Sequence, residues 1–171
     1  MLTEHFSEAE FGIVESIDSN TQRIISNARF LCREILEPIR KYIQEPIIIT
    51  SGYRPPEVNA HAGGVEDSYH LYQNNKAAAD FIVKTMPLDE VFDWTRLASD
   101  INYDKLILEF NLENKILCIH TQLDITQKPR RQAFVGHTGD LGGHIYQQVT
   151  SFQTVAQAWE ALQQKVYLRK G

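Results

Sequence analysis

The chain has 171 residues, enough for one domain with a sizeable core, and its 43% hydrophobic and 23% charged content is that of an ordinary soluble globular protein. A formal net charge of −5, with basic residues scattered apart from KPRR at 128–131, leaves no electrostatic footprint for nucleic acid, and KPRR itself reads as a solvated loop. No apolar run approaches the ~18 residues of a membrane span, MLTEHFSEAEF lacks the basic and apolar regions of a secretory signal, and Cys32 and Cys118, both in apolar surroundings, read as buried free thiols of a protein made in a reducing compartment.

Along the chain, Phe6 and Phe11 mark a short arm or helical turn that packs on the body. Asp18, Ser19 and Asn20 are capping residues, and Ile24, Ala28, Leu31, Cys32, Ile35, Ile39 and Tyr42 recur at helical spacing. A helix is predicted over 21–43, kinked or broken near Glu37 by Pro38. PIIIT at 46–50 reads as a buried strand. Residues 54–76 show no sustained period, and a structureless stretch of ~20 residues inside one domain is often functional. AAADFIV at 77–83 resumes strand character, and Pro87 opens a helix over 87–101. LILEF (106–110) and KILCIHTQL (115–123) read as a β-hairpin. FVGHTGDLGGHIY is taken as a Gly-rich loop with a strand at 145–149, and Val155, Ala158, Trp159, Leu162 and Val166 predict a C-terminal helix. No repeat or linker divides residues 1–171, so a single α+β domain is expected.

Six histidines are available, and the chemical question is which of them converge with carboxylates. His70 lies in the long loop, Asp80 in the following strand, and His120 in the apolar run ILCIH. An imidazole in such a run is costly unless both nitrogens find partners, which a metal and a second acceptor would supply. Two imidazoles and a carboxylate form the protein ligand set of a catalytic zinc site. With Glu113-Asn114 central in a two-residue turn, Glu109 faces Cys118 and Ile107 faces His120. Glu109 and His120 are then diagonal neighbours on one sheet face, roughly 7–8 Å apart at the backbone. A carboxylate there suits a general base for hydrolysis, the alternative being a strand residue paired with a lysine. His137, His144 and Asp140 offer a second metal set, against which stands a Gly-rich loop beside the cleft.

The run TSGYRPPEVNAHAGGVEDSYHLYQNNKAAADF resembles the core signature of the zinc D-alanyl-D-alanine carboxypeptidases, which have the Hedgehog/DD-peptidase fold. The matching residues are Ser51 to Arg54, Asn59, Gly63-Gly64, Ser68, His70, Ala77 to Asp80 and, later, His120. EHFSEAEF and LEPIRKY upstream and RRQA downstream extend the likeness over roughly residues 4–135. The resemblance implies a small antiparallel sheet with helices on one face, with His70, Asp80 and His120 binding Zn²⁺. It also implies that water activated there hydrolyses peptidoglycan stem peptides next to a D-amino acid, as a D,D-carboxypeptidase or an endolysin-type endopeptidase. Arg54 would pair with a substrate carboxylate or a developing oxyanion, and Ser68 and Asn59 would line the substrate site. Ser68 would otherwise orient the loop or bond a ligand histidine's second nitrogen.

Three departures stand out. His70 and Asp80 are ten positions apart where the family has seven, so the YQNNK turn must be rebuilt, with Asn74 or Asn75 at positive φ. Many relatives carry a catalytic glutamate where this chain has Leu117, which makes Glu109 the replacement base. Cys118-Ile119 stands where a tryptophan is common. The expected setting is synthesis without a signal peptide, with action at the cell wall after release or export by another route. The competing reading is a catalytically degenerate member that binds wall peptides or another protein.

Overall fold

Residues 1–14, 19–111, 115–139 and 143–170 are described in the computed structural model. Helix α1 (Ser19–Leu31) runs into α2 (Glu37–Ile43) through one widened turn over Cys32–Leu36. There the Glu37 N–H reaches back five residues to the Cys32 carbonyl. In a regular helix the ring of Pro38 would meet the carbonyl of Glu34; the widened turn relieves that clash, so the helical run continues through the proline. The proposed cap Asp18 lies outside the described residues. The N-terminal arm packs as expected, with Phe6 and Phe11 buried edge to face at 6.3 Å.

Strands β1 (Ile48–Ser51), β2 (Lys76–Ile82), β3 (Lys105–Phe110), β4 (Ile116–Asp124), β5 (Gln132–Gly139) and β6 (Gly143–Gln148) form one sheet in the order β1-β2-β4-β3-β5-β6. All neighbours are antiparallel except β3 and β5, which are parallel. The α+β class holds, but the sheet is six-stranded and mixed where a small antiparallel one was expected. The difference arises at residues 132–139, whose glycines suggested a loop. Gly136 is required by packing instead: a Cβ there would lie 2.7 Å from the Tyr146 ring and 3.0 Å from Ile107 Cγ2. Ala133 and Val135 meanwhile alternate inward as strand residues do. KPRR is likewise tied down and not simply solvated. Arg131, at φ +49°, donates to the carbonyls of Ile101 and Ser99, and Arg130 pairs with Asp104.

The two faces of the sheet differ in chemistry. One carries Ala77, Ala79, Phe81, Ile119, Leu123, Leu106, Leu108, Ala133 and Val135, all buried in the core. Helices α1, α4 (Leu88–Asp93) and α5 (Val155–Lys170) rest on the sheet, with Phe110 and Trp159 stacked at 3.9 Å. On the opposite face the register aligns Asp80, His120, Ile107 and Phe134 in one row, and Cys118, Glu109, Gly136 and Tyr146 in the next. The 54–76 segment contains helix α3 (Pro56–His61) and a single turn over Tyr69–Leu71.

The β3–β4 register is the one the hairpin reading predicts: Ile107 faces His120 and Glu109 faces Cys118. The turn with Glu113 and Asn114 lies outside the described residues, but its flanks show how that register arises. Phe110 faces Ile116, and Asn111 N–H donates to the Lys115 carbonyl. Leu117 is therefore the extra residue of a β-bulge, and beyond it the pairing shifts by one.

Candidate metal centre

Asp80 in β2 sits directly across from His120 in β4, with Ser51 of β1 on the other side of Asp80. Paired residues point to the same face, so register alone brings the carboxylate and the imidazole together. His120 Nδ1 lies 2.7 Å from Asp80 Oδ1. His70 arrives from the loop turn, its Nε2 3.4 Å from His120 Nδ1 and 3.5 Å from Asp80 Oδ1. All three side chains are buried. They form the one His/Cys/Asp/Glu group among the described residues arranged to hold an ion.

The ten-residue interval closes through a rebuilt turn. Asn74 and Asn75 both take left-handed backbone, at φ 49° and 62°, and so does Tyr72 at 51°. A tyrosine in that region is strained, and its surroundings determine it. The Tyr72 ring is fully buried, its hydroxyl donates to the Ala78 carbonyl at 2.7 Å, and its N–H bonds the Tyr69 carbonyl. Asn27, on the inner face of α1, donates to the carbonyls of both Tyr72 and Lys76, at 3.1 and 3.3 Å, and so clamps the two ends of the inserted turn. Sequence reasoning passed over Asn27, although a polar residue beside Ile24, Ala28 and Leu31 on an apolar face was the available signal.

The donor set fits a zinc ion. His70 Nδ1 donates to the Gly52 carbonyl at 2.7 Å, which leaves Nε2 as a lone pair. His120 Nε2 faces Gln122 Oε1 at 3.2 Å, which leaves Nδ1 in the same way when an ion replaces its proton. Tetrahedral zinc with bonds of about 2.0–2.1 Å sets ligand atoms about 3.3 Å apart. The two His70 separations match this, and the His120–Asp80 contact is closed to hydrogen-bond length. Burial pushes the Asp80 carboxyl up, but hydrogen bonds from His120 and His70 outweigh it and hold the group well below the usual carboxylate range. Burial pushes His120 down, and its hydrogen bond to Asp80 more than reverses that.

Gly52 can offer its carbonyl because the SGYR turn lies flat against the arm. A Cβ on Gly52 would be 2.7 Å from Phe11 Cα, and Tyr53 N–H bonds the Phe11 carbonyl at 2.9 Å. Arg54 donates through Nε to Ser51 Oγ and through a terminal nitrogen to Asp80 Oδ2, each at 2.8 Å. It thus grips the carboxylate oxygen that His120 does not touch. Ser68 Oγ accepts the His70 backbone N–H at 3.3 Å and caps the turn, while His70's second nitrogen goes to Gly52 and not to Ser68. Asn59 is buried and donates to the Val65 carbonyl at 2.9 Å, filling the space a side chain at Gly64 would need. Glu109 lies on the His120 face, one pairing step away, and its charge reaches His120. His137 is buried and packs 6.2 Å from the Trp159 ring, and its proposed partner Asp140 lies outside the described residues.

A family model described as Peptidase M15 matches residues 4–111. The chain belongs to that family. Its M15 relatives are the zinc D-alanyl-D-alanine carboxypeptidase-like metallopeptidases, and the α+β fold is consistent with theirs. No curated protein matches the chain. The matched segment contains His70 and Asp80 and ends before His120. The third member of the cluster is therefore placed by the β2–β4 pairing, outside the family match.

Proposed function

We propose that this M15 protein is a zinc-dependent peptidase that hydrolyses peptidoglycan stem peptides next to a D-amino acid. The observation that carries the proposal is the convergence of His70 Nε2, Asp80 Oδ1 and His120 Nδ1, each oriented by a second hydrogen bond or ion pair. Zinc held by these atoms supplies Lewis-acid polarisation and lowers the pKa of water toward about 7. Glu109, at the diagonal position from His120, accepts the proton of the attacking water and passes it to the leaving amine. Arg54 holds Asp80 by one oxygen. Its side chain is 23% exposed, and a guanidinium has five N–H donors, so those beyond Ser51 and Asp80 serve the substrate carboxylate or the developing oxyanion. Ser68 and Asn59 serve the substrate site by shaping the loop that carries His70.

Metal content and cleavage measured together test this. Wild type should carry one zinc per chain and cut purified peptidoglycan fragments, and His70→Ala should lose both. The size of the products separates carboxypeptidase from endopeptidase action. A wild type that stays metal-free after purification without chelators removes the metallopeptidase reading. Glu109→Gln should keep zinc and lose about 10²- to 10⁴-fold in turnover, and unchanged turnover excludes Glu109 as base. Leu117, 46% exposed on the bulge where relatives place a glutamate, favours the second reading of a binding module without catalysis. That reading is the one left standing if zinc is bound and fragments are retained uncut.

A further inference from the structure

The His120 imidazole must present Nδ1 to the metal, and strand pairing by itself does not dictate which nitrogen keeps its proton. The determinant lies two residues on and one strand away. His120 Nε2 faces Gln122 Oε1 at 3.2 Å, and Gln122 Nε2 donates to Asp104 Oδ2 at 3.4 Å. Asp104, on the chain entering β3, is buried and accepts as well from Arg130 Nε at 2.6 Å and from the Tyr69 hydroxyl at 3.2 Å. Burial pushes the Asp104 carboxyl up, but Arg130, with Gln122 and Tyr69, holds it below its ordinary value, so it stays an acceptor.

An ionised carboxylate only accepts hydrogen bonds. It therefore forces the Gln122 amide to turn its NH₂ toward Asp104 and its oxygen toward His120. That oxygen in turn holds a proton on His120 Nε2, so Nδ1, which donates to Asp80 in the metal-free protein, is the nitrogen that gives its proton up to an ion. We propose that Asp104 and Gln122 form a relay of positioning residues that fixes the protonated nitrogen of His120 and aims Nδ1 into the metal site. Asp104 also reaches the other histidine, since Tyr69 is the neighbour of His70 in the turn that carries it. One carboxylate, outside the ligand set, thus braces both imidazoles. The inference rests on the zinc reading for its purpose, although the hydrogen bonds themselves exist without metal.

The test uses the full chain in two readouts. Zinc affinity, by competition with a chromophoric chelator, should fall about 10- to 100-fold in Gln122→Met, which keeps the volume and removes the acceptor. Asp104→Asn should weaken zinc less, because the amide can then settle in either orientation. The double variant Asp104→Asn with Gln122→Glu should regain most of the affinity that Asp104→Asn alone loses. In it the introduced carboxylate again accepts from His120, while the introduced amide donates to that carboxylate. In the second readout, the downfield His120 Nε2–H proton resonance of metal-free protein should be protected from exchange in wild type and the double variant and lost in Gln122→Met. Zinc affinity of Gln122→Met within twofold of wild type overturns the relay. Should Gln122→Met not fold, equal affinities and equal proton protection in Asp104→Asn and the double variant overturn it instead. A wild type that binds no zinc removes the functional reading, and the proton resonance still decides the relay.

Discussion

The two histidines of the candidate site reach it by different physical routes. His120 is delivered by a strand: once β4 pairs with β2, its side chain lies beside Asp80 because paired residues share a face. His70 is delivered by a turn with three left-handed non-glycine residues, and it needs Gly52, Ser68, Tyr72 and Asn27 to hold it. A strand position inherits its precision from the sheet. A loop position has to assemble its precision from separate ties, each a place where the site can be loosened without unfolding the protein.

This contrast can be broken or sharpened by experiment, beginning with the largest effect. His70→Ala and His120→Ala should both abolish stoichiometric zinc and lower turnover by at least about 10³-fold, but their metal-free forms should differ. His120→Ala strips Asp80 of its closest buried partner and should destabilise the metal-free fold by about 2–3 kcal/mol. His70→Ala should cost roughly 1–2 kcal/mol, because Arg54 and His120 still hold Asp80. Denaturant unfolding of metal-free protein reads the difference, and equal losses would mean that strand and loop delivery are energetically alike.

Asn27→Ala removes both clamps of the inserted turn and should cost about 1–3 kcal/mol of stability. It should also weaken zinc binding through His70, so chelator competition and thermal melting belong together. A lower melting temperature with unchanged zinc affinity would show that the turn finds its shape without α1.

The strand side of the comparison has an acid signature. The Asp104 carboxyl is held below its ordinary value of 3.8, so its contribution to stability is fully present above about pH 4 and is lost as pH falls through the folded-state value. Asp104→Asn should therefore flatten the acid limb of the metal-free unfolding curve below about pH 4. An acid limb identical to wild type would remove Asp104 as a stabilising charge.

The smallest effect concerns the turn itself. Asn75 sits at φ 62°, so Asn75→Ala should cost about 1 kcal/mol while Asn75→Gly stays near neutral. Matched melting curves for the pair would test whether left-handed backbone, and not the asparagine side chain, is what the position requires.

Much of this was legible in the residues. The β3–β4 register followed from the hairpin pattern, although a bulge at Leu117 takes part in producing it where a simple two-residue turn had been assumed. Positive φ at Asn74 or Asn75 followed from the chemistry of the inserted turn, because asparagine tolerates that backbone better than other side chains, and the structure has it at both. Strand β5 was hidden, because Gly136 reads locally as a loop residue, and the Tyr146 ring from β6 with Ile107 of β3 explains it. KPRR looked solvated because a charged cluster shows no periodicity, and its partners, Asp104 and the carbonyls of Ile101 and Ser99, lie far away in sequence.

By itself the sequence determined the α+β composition, the amphipathic helices, the family signature and the identity of the three candidate ligands. The composition and the helices are properties of periodicity and local chemistry, which neighbouring residues carry, whereas the ligand set is what the likeness to the zinc carboxypeptidase signature implies. The tertiary structure decided what depends on partners distant in the chain: which nitrogen of each histidine faces the ligand cluster, that Arg54 grips Asp80, and that Asn27 closes the turn. It also placed Asp104 behind Gln122. Hydrogen-bond direction is set by the partner across the gap, and only folding selects that partner.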